Sequence, residues 1–62
     1  MKIYYYIVTE VQNNENGNIF KAASDSFDSY PSDYAIKYEM ENLRNKGYGV
    51  FSAKVEKRYK LQ

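Results

Sequence analysis

The chain opens on a stretch whose side chains suit the two faces of a sheet. Residues 2–12, KIYYYIVTEVQ, are mostly β-branched or aromatic and include neither Gly nor Pro, the make-up of a strand. Successive side chains of a strand point to opposite faces. The odd positions, Ile3, Tyr5, Ile7, Thr9 and Val11, form the expected core side. The even positions start with Tyr4, Tyr6 and Val8 before Glu10 and Gln12. The second face is therefore unusually apolar at its start.

Residues 13–18, NNENGN, read as a turn. Asn16-Gly17 is a strong hairpin signal, because both residues tolerate positive φ. Residues 19–27, IFKAASDSF, read as a second strand, at an edge of the sheet, since Ala22, Ala23, Ser24 and Ser26 are weak strand formers. The pattern leaves its register open; one pairing sets Phe27 beside Ile7 and Ala23 beside Val11. Asp28 to Pro31 is a connector, with Tyr30 held away from helical angles by Pro31.

The period then becomes helical. Residues 33–46, DYAIKYEMENLRNK, place Ile36, Met40 and Leu43 at helical spacing with Ala35 alongside. Ser32 stands at the N-cap and Asp33 in the first turn. Arg44 and Lys46 fall in the last turn, and Gly47 suits the position after the cap. Residues 48–61, YGVFSAKVEKRYKL, read as the last strand. Phe51, Ala53, Val55, Tyr59 and Leu61 lie on its core side, interrupted by Lys57.

Connection rules assemble these elements. The hairpin sets the first two strands side by side. A right-handed crossover through the helix then carries the last strand to the free side of the first. The expected fold is α+β: a three-stranded antiparallel sheet, order 2-1-3, with one helix packed on one face, ββαβ topology, as a single domain over residues 1–62. This order buries IYYYIV at the centre, where it is no aggregation hazard. It resembles small split β-α-β modules, some of which contact RNA, such as the hybrid-binding domain of some ribonucleases H. The resemblance is topological. The basic, glycine-rich first loop of a ribosomal-protein member is here NNENGN, so no residue role is carried across.

Composition changes the picture in two ways. A chain of 62 residues without Cys or His has a small core and neither disulfides nor the common thiolate and imidazole metal sites. Packing or oligomerisation is left to stabilise it. Eight tyrosines and no tryptophan favour half-wet surfaces. The net charge of +1 selects no partner by itself. The start of the chain lacks a signal-peptide pattern, and no apolar run reaches membrane-spanning length. The expectation is a cytoplasmic protein; the wealth of Asn, Lys, Tyr and Ile suggests an AT-rich bacterial or phage source.

No catalytic residues, cofactor or metal are expected. The serines have no histidine to activate them; Ser52 and Lys54 share a strand face, but nothing would bury the lysine. Asp25, Asp28 and Asp33 flank the helix entry without cation-loop spacing and read more simply as a solvated loop and a dipole partner. Gly47 and Gly49 follow a helix, whereas phosphate-loop glycines precede one.

The informative feature is the sheet face away from the helix. Tyr4, Tyr6, Val8, Val50, Lys54 and Arg58 form the candidate interaction face, because an exposed apolar patch marks a binding surface. The first expectation is a non-enzymatic module acting through protein–protein association. It would be a homodimer, or dock another protein, through this face or a strand edge. The alternative is single-stranded nucleic-acid binding, with aromatics stacking bases and Lys54, Arg58 and Lys60 meeting phosphates. The plainer reading is that tyrosines merely tile a wet sheet.

Overall fold

A computed structural model describes residues 2–61. The elements are β1 (Lys2–Asn13), β2 (Ile19–Ala23), α1 (Asp33–Asn45) and β3 (Tyr48–Lys60). The fold is α+β, with an antiparallel sheet in the order β2-β1-β3 and α1 on one face. The apolar first strand is thus the central one.

The turn is longer than a two-residue hairpin. The Asn13 N–H donates to Asn18 O at 2.8 Å, and the Gly17 N–H donates to Asn13 O at 2.7 Å. Gly17 alone in this turn has positive φ, 75°, whereas Asn16 does not. Asn side chains complete it: Asn13 Oδ1 accepts from Glu15 N and Asn16 Oδ1 from Asn18 N, the local bonds by which Asn stabilises turns. Asn14 Nδ2 donates to Gly47 O at 2.6 Å, tying the turn to the end of the helix.

The β2 register departs from the pairing considered above. Val11 faces Phe20 and Val8 faces Ala23. Ile7 is matched by Ser24: Ser24 N–H donates to Ile7 O, and Ile7 N–H donates to the Ser24 hydroxyl, both at 2.9 Å. That hydroxyl replaces a ladder carbonyl, and β2 ends at Ala23 rather than running to residue 27. The chain touches the sheet once more, where Phe27 and Tyr5 exchange both backbone bonds.

α1 forms as its caps dictate. Ser32 Oγ accepts from Ala35 N at 3.2 Å, and Gly47 closes the far end at φ 97° while its N–H donates to Arg44 O at 3.0 Å. Leu43 is buried; Ile36 and Met40 are half-buried. On the sheet, Ile7, Thr9 and Val11 are fully enclosed. The core is one stripe of β1 beneath the helix.

Length decides what remains open. Thirteen helical residues rise ~20 Å, while thirteen strand residues reach ~43 Å. Because its C-terminal end lies beside Tyr48, α1 covers only the first half of β3. The far half of the β1–β3 ribbon extends beyond it, and the molecule is 41 Å long. Hence Tyr59, at 58% exposure, and Leu61, at 86%, are not core, contrary to their place in the alternating pattern.

Phe51 is not core either, at 55% exposure, for a different reason. Glu10 faces Ser52 but Val11 faces Val50, so Phe51 is the extra residue of a β-bulge. The bulge reverses parity. Val50 shares the helix side with enclosed Val11, whereas the sequence pattern put it on the open face.

Candidate functional site

The open face is built from three strands. The even residues of β1, Lys2, Tyr4, Tyr6, Val8 and Glu10, face Lys60, Arg58, Glu56, Lys54 and Ser52 of β3 in that order. On the other side Val8 faces Ala23 and Glu10 faces Lys21. Directly opposed residues share a face. The structure therefore brings together five of the six expected residues, Tyr4, Tyr6, Val8, Lys54 and Arg58, and removes Val50.

These rings are not bare. Lys2 Nζ lies 5.3 Å and Lys60 Nζ 6.0 Å from the Tyr4 ring centre, and the Arg58 guanidinium lies 5.4 Å from that of Tyr6. Cations are drawn to ring faces, and long basic side chains cover apolar surface with their stems. Tyr4 and Tyr6 are consequently half-buried and Val8 only 7% exposed, although no helix lies over them. The expected exposed apolar patch is instead a row of rings roofed by cations.

One carboxylate organises the middle of the face. Arg58 Nη2 donates to Glu56 Oε1 at 2.9 Å, and Lys54 Nζ stands 3.9 Å from Glu56 Oε2. The Arg58 hydrogen bond holds the Glu56 carboxyl below its ordinary pKa. Partial desolvation opposes this, and the charges of Arg58, Lys54 and Lys21 reinforce it. Glu56 thus stays ionised and fixes Arg58 over Tyr6. Beside it, Val8, Glu10, Lys21, Ser52 and Lys54 line a shallow hollow of about 140 Å³, with an ammonium group contributed from each edge strand.

The charge balance is lopsided. The face carries five cations, Lys2, Lys21, Lys54, Arg58 and Lys60, against Glu10 and Glu56. The rest of the chain keeps four of the nine cations and six of the eight carboxylates. A small overall net charge conceals a face with a surplus of three positive charges. Sequence parity alone places Lys2 here; placing Lys21 needs the β2 register, which the pattern left open.

The other sequence candidates do not converge. Ser52 and Lys54 share the open face, with Lys54 directed to Glu56. Among the described residues, no three His, Cys, Asp or Glu side chains gather as a metal site requires. The larger concavity, about 440 Å³, runs between the connector and the start of α1, lined by Ser24, Asp25, Phe27, Tyr34, Tyr38 and Glu39. Tyr34 and Tyr38 stack there at 6.4 Å. Among the described residues, no helix is long and apolar enough to cross a membrane. The chain matches no family model, no curated protein and no solved structure.

Proposed function

We propose that the protein is a non-enzymatic, cytoplasmic binding module whose open sheet face docks an extended polyanion, with single-stranded nucleic acid the class that fits best. The observation that carries this reading is the gathering of Lys2, Lys21, Lys54, Arg58 and Lys60 around Tyr4 and Tyr6 on one face. Phosphates suit the cations, and bases suit the ring faces. Freeing a ring from an exposed cation costs ~0.5–1 kcal/mol, and stacking a base returns ~1–3 kcal/mol. Exchange of cation for base is therefore favourable. The same charges work against face-to-face self-association, which would oppose five cations to five.

Fluorescence anisotropy with labelled single-stranded oligonucleotides, at two salt concentrations, tests this. The expected result is binding tighter than ~100 µM that weakens steeply with salt. Replacing Lys2 and Lys60 by Ala together should lower both the affinity and the salt slope. Salt-independent binding, or an unchanged slope in that variant, would sink the proposal. Equal affinity for an acidic peptide of matching length would transfer the partner class from nucleic acid to protein.

A further inference from the structure

We infer that the free edge of β3 is a self-complementary interface. Two copies pair there about a two-fold axis at Val55, forming one continuous six-stranded sheet. This is independent of what the sheet face binds.

The backbone phase comes first. Tyr5 and Asn13 direct their N–H groups toward the β2 side of β1, to Phe27 O and Asn18 O. Bonding groups alternate sides along a strand, so the even residues of β1 bond β3. Their partners Ser52, Lys54, Glu56 and Arg58 turn their backbone groups inward. Ala53, Val55, Lys57 and Tyr59 accordingly present N–H and C=O to the open edge. An antiparallel pairing of two β3 strands can centre on one of these odd residues, as a bonded pair, or on an even residue, as a non-bonded pair. The even centres Lys54, Glu56 and Arg58 each oppose a charge to its own copy, which is destabilising, and this leaves the odd centres.

Side chains then choose among the centres. A dyad at Lys57 opposes Lys57 to itself and Lys54 to Lys60. A dyad at Ala53 forms no ion pair and crosses the bulge. A dyad at Val55 sets Lys54 against Glu56 of the second copy twice over, Ser52 against Arg58, Ala53 against Lys57, and Val55 against itself. Regular pairing then runs from Ser52 to Arg58 and stops short of the bulge at Phe51. No like charges are directly opposed, and opposite-charge cross-strand pairs are favourable. Edge strands are commonly guarded by lysines and bulges; here the guarding Lys54 finds a partner.

The helix permits the approach. α1 covers only the first half of β3, and Ala53 and Val55 are half-buried rather than closed over. Antiparallel pairing about Val55 places each helix beside the bare half of the other ribbon, so the two helices do not collide. The interface is short, which suits a weak, concentration-dependent dimer.

The chain has no cysteine, so single cysteines read the geometry directly. Directly opposed Cα atoms in a bonded antiparallel pair lie ~5.5 Å apart, within disulfide reach. Val55→Cys should therefore crosslink under mild oxidation. Ala53→Cys sits roughly 14 Å along the strand from its copy and should not, while a mixture of A53C and K57C chains should crosslink to each other. Sedimentation should show a dimer that K54E abolishes and K54E/E56K restores. A monomer at millimolar concentration, V55C crosslinking no faster than A53C, or no rescue by the double swap would each overturn the inference.

Discussion

At the scale of the residue, Thr9 shows how position outweighs identity. It is fully enclosed between Ala22 and Ala53 of the flanking strands, and its Oγ1 bonds to no other group of the protein. A buried hydroxyl without a partner carries a desolvation cost of ~1–3 kcal/mol. Thr9→Val keeps the shape and the strand preference and replaces the hydroxyl by a methyl. It should stabilise the fold by about 1 kcal/mol, visible as a melting temperature higher by ~4–8 °C. A lower melting temperature would mean that the hydroxyl is satisfied after all. Thr9 was legible as core-facing from parity, but its missing partner was not, because that depends on both neighbouring registers. Val50 and Phe51 fail differently. One extra residue in β3 reverses parity, and nothing in YGVFSAK announces it.

Among the elements, legibility followed the strength of local signals. The helix could be read to within a residue because Ser32, the apolar stripe and Gly47 all act locally. β2 could not, because Ser24 ends it by bonding Ile7, 17 residues away in sequence. The two caps are open to test by the same reasoning. A Cβ on Gly47 would meet nothing within 4 Å, so the cost of Gly47→Ala lies in the backbone angle of 97°. That substitution should destabilise by ~1–2 kcal/mol. Ser32→Ala should cost about 1 kcal/mol through the bond lost to Ala35 N. Urea denaturation of both variants measures this. A neutral Gly47→Ala would mean that the turn relaxes to an ordinary angle and that the helix stop is not held by glycine. The strand order followed from connection rules and the apolar first strand, which is why the topology was predictable while one register was not.

On the scale of the whole molecule, charge and shape act together. The open face was legible as a location, yet its character changed once cross-strand neighbours were known, since Lys2, Lys60 and Arg58 cover the rings. A two-fold axis through the β3 edge stands perpendicular to the sheet. It places both helices on one side and both basic faces on the other. Six strands at ~4.8 Å spacing then present one positive surface about 29 Å wide. A strand of nucleic acid long enough to reach both faces makes its second contact intramolecularly, at high effective concentration. Lengthening an oligonucleotide from one face to two should therefore tighten binding by more than ~10-fold at a fixed number of contacts per face. Val55→Pro removes the central edge donor, at a position where an edge strand tolerates proline, and leaves every cation in place. This variant should bind the short oligonucleotide as the wild type does and lose the gain on lengthening. Equal gains in both proteins would assign the length effect to a single face and separate binding from pairing. Loss of short-strand binding in Val55→Pro would show instead that the face itself depends on an intact β3.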